Sequence, residues 1–272
     1  MLLRIKIQAC MFQSDFSSRN QKLYESKQVV DSYVKYQGLE KPEETIIRMF
    51  GDQWREMKLL DIGIGVGRTT GHFAPLVKEY TGIDYSDHMI RKCRELYAFS
   101  PEYVFKVMDM RSLEGIPDAS YDFVLCNFNS LDYISLEGRI QSLAEVLRVL
   151  KSGGHFLFSS HNILGLKDQY VFKHGLSLKK KLVNPIKYIS IRLVNKSFSK
   201  IDSSDFQLVL DGSHLFRTKV SYIKTQAQIN QLMDAGFEEI SVYSIFTGET
   251  LTEAEYNTLR DPWFYYLCKK KV

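Results

Sequence analysis

From residue 58 onward, short apolar runs alternate with amphipathic stretches, and this alternation predicts a parallel sheet covered by helices on both faces. The apolar runs are KLLDIG, YTGID, YVFKVMD, YDFVLCNF and GGHFLFSS. A helix is expected through RTTGHFAPLVK, another from Asp87 to Tyr97, and a third from about Leu136 to Leu150 that Gly153 and Gly154 stop. Ahead of these, residues 23–50 have helical spacing, with Val29, Tyr33 and Tyr36 on one stripe and a break at Gly38. A second helix starts at Pro42, because proline suits a first turn and Glu43 and Glu44 suit its positive end. Residues 161–215 interrupt the rhythm; their first part is basic, and FQLVLDGSHLFRTKV reads as a hairpin turning at Asp211 and Gly212. The rhythm resumes in IKTQAQINQLMDAGFEEISVYSIF, where Gly236 closes a helix, and ends in the aromatic strand WFYYLCKKK.

Composition adds limits. With 272 residues, 44% of them hydrophobic and 25% charged, the chain can bury one large core. A formal charge of +4 is too small to argue for a nucleic-acid partner. Cys10, Cys93, Cys126 and Cys268 lie far apart without a CxxC pair, which reads as reduced thiols in a cytoplasmic protein with no metal site. The opening MLLRIKIQACMF is too short and interrupted for a signal peptide or a membrane span, and Met11 is an alternative start.

The chemistry concentrates in LLDIGIGVGRTTGHF, where Gly63, Gly65 and Gly67 follow an apolar strand ending near Asp61. Glycines there let ligand atoms approach the main chain at the rim of an open α/β sheet. A dinucleotide fingerprint would be spaced GxGxxG, but here the third glycine comes one residue early, and Asp61 would face a pyrophosphate. A carboxylate suits a ligand carrying an ammonium and a sulfonium instead. Asp84, ending the second strand, can accept both ribose hydroxyls, and Asp109, after the third, can meet an adenine amino group.

These stretches, LLDIGIGVGRTT, GIDYSDHMI, VMDMRSL, YDFVLCNFNSLDYI and LRVLKSGGHFLFSS, resemble the ordered motifs of class I S-adenosylmethionine-dependent methyltransferases. The resemblance implies a Rossmann-like α/β fold with a seven-stranded, mostly parallel sheet in the order 3-2-1-4-5-7-6 and an antiparallel last strand. It divides the chain into an N-terminal helical cap (1–50), a cofactor-binding core (51–160), an inserted basic helix and hairpin serving as an acceptor lid after strand 5 (161–217), and the rest of the core (218–272). It places Gly63 and Gly65 against the methionine part of S-adenosylmethionine, with Asp61 toward its amino group, and Asp84 on the ribose. Tyr85 and Met89 would flank the adenine, Asp109 and Met110 would read its edge, and the Asn127 carbonyl would meet the ammonium. The fourth-strand stretch reads NFNS instead of Asn-Pro-Pro-aromatic, which argues against a nucleic-acid base as acceptor.

The sulfonium makes the methyl group electrophilic, so the protein has to align a nucleophile and, for a hydroxyl, accept its proton. His161 follows the fifth strand and is the first candidate base; His214, in the hairpin, is the second. Asn129, Ser130, Asp132 and Tyr133 follow the fourth strand and are candidates to line an acceptor pocket. The Tyr24, Tyr33 and Tyr36 stripe reads as core packing, not as a lid. Residues 177–200 carry seven Lys or Arg and no acid, with Leu182, Ile186, Ile189 and Leu193 at helical intervals. That pattern suits a solvated lid helix or peripheral contact with an anionic membrane. The expected activity is methyl transfer to a small-molecule or sugar acceptor, at oxygen. The rival readings are an NAD(P)-dependent oxidoreductase, in which Asp84 would hold the adenosine ribose, and a non-catalytic methyltransferase-like module that binds a membrane or partner.

Overall fold

The computed structural model describes residues 33–168 and 218–272 without a break, together with residues 20, 29–30, 189–191, 193–195, 200–201 and 203–211. The central sheet contains β1 (Lys58–Ile62), β2 (Glu79–Asp84), β3 (Val104–Val107), β4 (Tyr121–Cys126), β5 (Leu150–His161), β8 (Phe237–Ser244) and β9 (Trp263–Lys270). Its order is β3-β2-β1-β4-β5-β9-β8, with β9 antiparallel to both neighbours and the rest parallel. This is the 3-2-1-4-5-7-6 arrangement expected from the motifs. Order reverses between β1 and β4, and the carboxyl ends of those strands form the crevice where such sheets bind ligands.

The strands read as continuous apolar runs because both faces are covered. On β4, Phe123 and Leu125 pack in a cluster with Trp54 and Phe73, while Val124 and Cys126 pack on the opposite side with Phe156 and Phe158. Helix α1 (Lys41–Phe50) has Pro42 in its first turn, followed by Glu43 and Glu44. Helix α3 (Asp87–Leu96) and helix α4 (Leu136–Val149) are capped by Ser86 and Ser135, whose hydroxyls accept from Met89 N and Gly138 N. In α5 (Thr225–Ala235) the following Gly236, at φ +108°, supplies the left-handed cap the sequence predicts. Among the described residues no helix is long and apolar enough to cross a membrane.

Three details depart from the sequence reading. The helix after the glycine turn is only one α-turn, α2 (Thr70–Phe73), because Pro75 follows and tightens the chain into a 3₁₀ turn over Ala74–Leu76. Gly153 and Gly154 do not stop α4; the chain enters β5 directly at Leu150, and the pair lies where the β4–β5 register shifts, Gly153 at φ +74°. The returning strand of the insertion, β7 (Val220–Ile223), pairs antiparallel with β6 (Phe206–Val209) in a separate two-stranded sheet, joined to the end of β5 through the Asn162–Ile223 bridge. The turn proposed at Asp211 and Gly212 lies, from Gly212 on, outside the described residues.

Ile191, Ile201 and Val209 of the insertion pack in one cluster with Ile163 and Leu166 just after β5 and with Val220 and Tyr222 of β7. Ile189 and Leu193, two members of the proposed apolar stripe, are exposed, so the side that packs contains Ile191 instead. Leu182 and Ile186 lie outside the described residues.

Candidate functional site

After β1 the chain must turn back over the end of β2. Gly63 N and Ile64 N both donate to Ile83 O, at 2.8 and 3.2 Å, and Gly63 takes φ +70°. A Cβ on Gly63 would lie 2.6 Å from Ser130 Oγ, so the glycine is required by close approach as well as by conformation. The turn borders a cavity of about 330 Å³. Every residue expected to bind the cofactor lines it: Asp61, Gly63, Gly65, Asp84, Tyr85, Met89, Asp109, Met110 and Asn127.

Two carboxylates dominate its electrostatics. Asp61 is 1% exposed and accepts from Thr69 Oγ1 at 2.5 Å and Tyr80 OH at 2.9 Å. Burial pushes its carboxyl up to about 6 against those two hydrogen bonds. Asp84 accepts from Gly65 N at 2.9 Å and Ser86 N at 2.8 Å, and burial pushes it, too, up to about 6. Among the described residues neither has a cation bonded to it, so a ligand bringing positive charge to Asp61 and hydroxyl donors to Asp84 would relieve the cost of burying them. S-adenosylmethionine carries both kinds of group, and the donor set fits it.

Asp109 behaves differently. Burial alone would raise it, but bonds from the Arg111 side chain and backbone outweigh that and hold it below the usual carboxylate range. Both of its oxygens face Arg111, so at an adenine edge it offers only what that pairing leaves. The Asn127 carbonyl already accepts from Ser130 Oγ at 2.9 Å, whereas the Asn127 amide is buried with neither polar atom paired among the described residues. That amide, which lines the cavity, has hydrogen bonds to give.

Of the four residues expected to line an acceptor pocket, Ser130 and Tyr133 do so. Asn129 and Asp132 point into the protein. Asp132 is fully buried: Oδ1 accepts from Arg139 at 2.6 Å and Ser160 at 2.8 Å, and Oδ2 from the His161 backbone at 2.7 Å. The His161 ring joins it through Nδ1 at 2.8 Å. Burial would raise Asp132, but Arg139 and His161 outweigh it and hold the carboxyl low. Arg139 also reaches Gln228 and Gln231, completing a closed polar network.

This corrects the expected position of His161. The residue does not overhang the sheet edge; it is the last residue of β5, paired with Trp263 of β9. Its ring lies between Asp132 and Asn129, with Nε2 3.2 Å from Asn129 Nδ2, packs on Tyr222 with centroids 4.8 Å apart, and does not line the cavity. His214 and Tyr24 lie outside the described residues. Tyr33 and Tyr36, read from the sequence as core packing, line the cavity.

Sequence reading missed Phe128 and Arg68. Phe128 and Asn129 both have left-handed backbones, at φ +57° and +61°, with Asn129 N held by Ser159 Oγ at 2.8 Å. Phe128 packs against Tyr36 and Tyr33 (centroids 5.9 and 6.4 Å), with the Arg68 guanidinium 5.1 Å from its ring centre. Arg68 is in turn held by the fully buried Glu43 of α1, which Tyr265 of β9 also bonds at 3.0 Å. The arginine after the third glycine was a signal in the sequence; its partner, 25 residues earlier, was not.

Comparison with known proteins agrees with this geometry. Residues 59–154 match the model of a methyltransferase domain family. A putative methyltransferase, YqeM, of Bacillus subtilis is 31% identical over 129 residues, covering 44% of this chain and 52% of that protein. Phosphoethanolamine N-methyltransferase 1 of Triticum aestivum is 28% identical over 208 residues, covering 74% of this chain and 39% of that protein. The chain thus spans about half or less of the length of these relatives. Among solved structures, the 1,6-didemethyltoxoflavin-N1-methyltransferase of Burkholderia thailandensis, with its substrate and S-adenosylhomocysteine bound, superposes with a TM-score of 0.59 at 14% identity, covering 94% of this chain and 88% of that one. Residues 59–154 thus match a methyltransferase domain, and the sheet order around it is that of the solved S-adenosylmethionine-dependent methyltransferases this chain resembles.

Proposed function

We propose that the chain transfers a methyl group from S-adenosylmethionine to a small-molecule acceptor, at oxygen. The observation that carries the reading is the pair of buried, elevated carboxylates, Asp61 and Asp84, on one rim of the cavity with the glycine turn between them. An NAD(P) pyrophosphate would meet Asp61 at close range, which disfavours the oxidoreductase alternative. When bound, S-adenosylmethionine supplies an electrophilic methyl: an acceptor lone pair forms the new bond, the carbon–sulfur pair leaves on sulfur as S-adenosylhomocysteine, and the acceptor proton passes to water.

The chain's own part is to hold and orient. Asp61, Asp84 and the Asn127 amide would fix the amino-acid and ribose ends. Ser130 and Tyr133, at the end of β4, offer hydroxyls to an acceptor hydroxyl. Tyr36, pushed up to about 12 by partial burial and its bond to Glu40, stays protonated and donates its hydroxyl hydrogen bond to Glu40. With His161 turned to Asp132, the oxygen reading favours an acceptor hydroxyl that is acidic on its own, such as a phenol, over a sugar hydroxyl, which needs a base more. Transfer to nitrogen is a second reading, favoured by the similarity to a phosphoethanolamine N-methyltransferase over 74% of the chain. Incubation with methyl-labelled S-adenosylmethionine and a panel of phenols, amines and sugars, with products read by mass spectrometry, tests both: labelled methyl ethers are expected, and label only on amines would replace the oxygen reading.

A further inference from the structure

Phe128, Tyr36 and Tyr33 form an aromatic wall of the cavity. Phe128 and Asn129 hold consecutive left-handed backbones, a conformation unfavourable for a non-glycine residue such as phenylalanine. The strain persists because Asn129 is fixed from below by Ser159 and His161. Its result is that Phe128 is partly exposed at the cavity instead of packing into the core, beside the rings of Tyr36 and Tyr33. Tyr133 lines the same cavity. An exposed, strained aromatic beside a ligand cavity is a feature whose cost must be offset by function.

Charge narrows the ligand. Arg68 and Arg111 are the cationic side chains lining the cavity among the described residues, and each is committed: Arg68 to Glu43 through two bonds, Arg111 to Asp109 through a fork. Asp61 and Asp84 add negative charge to the same space. A phosphate would have to displace an existing carboxylate partner from arginine and lie near two others.

We propose that the acceptor is a flat aromatic molecule without a phosphate group, bound against the wall made by Phe128, Tyr36 and Tyr33. This rests on the methyltransferase reading of the cavity, and the test separates the two. The full chain is first titrated with S-adenosylhomocysteine by calorimetry; failure there would be failure of the cofactor reading. The saturated complex is then titrated with catechol, 8-hydroxyquinoline and phosphoethanolamine. At least one aromatic probe is expected to bind and phosphoethanolamine to give no heat. Phe128→Ala should weaken the aromatic probe about tenfold, the size of a lost ring contact with its buried area, while S-adenosylhomocysteine binds as before. Should Phe128→Ala not fold, Tyr36→Ala should show the same split. The proposal is overturned if phosphoethanolamine binds the saturated complex, if neither aromatic probe does, or if the substitution leaves aromatic binding unchanged.

Discussion

Two buried carboxylate sites lie at the carboxyl edge of one sheet, and they have opposite characters. On the β1–β2 side, Asp61 and Asp84 have, among the described residues, only neutral donors, and burial pushes both up to about 6. On the β4–β5 side, Asp132 is equally buried but is enclosed by Arg139, Ser160 and His161, and is held below the usual range. Burial acts alike on both; what differs is whether the chain itself supplies the counter-charge. A buried carboxylate left to neutral donors marks a place for a ligand, and one already matched by cation and hydroxyl is scaffold.

The largest break in this comparison should come from Asp132→Asn, which leaves the fully buried Arg139 without its counter-charge. A loss of about 3–5 kcal/mol of stability is expected, read by denaturant unfolding, with cofactor affinity in the folded fraction unchanged. Asp61→Asn should show the reverse: stability held or raised, because a costly buried carboxyl is gone, and S-adenosylhomocysteine affinity lowered about a hundredfold, in line with losing one partner of a buried charged contact. A D61N protein that binds as tightly as the parent would remove Asp61 from the site. Smallest is His161→Gln, whose side chain can still donate to Asp132. A general base contributes roughly 10²–10⁴-fold, whereas turnover here should fall by less than about tenfold; a larger loss with unchanged affinity for both ligands would return His161 to the role of base.

The cofactor half was legible in the sequence because its determinants are local. Asp61, the glycines and Asp84 sit at or just past strand ends that the apolar runs mark, so strand position alone carries them to one rim. The acceptor half depends on partners far apart in the chain. His161 was misplaced because its surroundings come from β9, about a hundred residues later, whose antiparallel pairing extends β5 to its last residue. Arg68 owes its position to Glu43, whose place in the first turn of α1 reads equally well as a response to the helix dipole alone. Phe128 carries no signal of its left-handed backbone, since nothing in NFNS distinguishes it from an ordinary strand-to-helix loop; the contacts that hold it come from Ser159 and Tyr36.

The pH dependence of cofactor binding tests the contrast most directly. Asp61 and Asp84 have folded values near 6, above the ordinary carboxylate range, so they are ionised at pH 7.5 and take up protons as pH falls through 6. Below 6 the empty protein is therefore stabilised relative to the unfolded chain, which remains ionised down to about 4, while a cationic ligand loses its partners. Calorimetric titration with S-adenosylmethionine at steps from pH 8 to pH 5 should give a flat affinity above 7 and a fall below 6 approaching about tenfold per pH unit for each carboxyl, with protons released on binding. An affinity that stays level down to pH 5 would contradict the account.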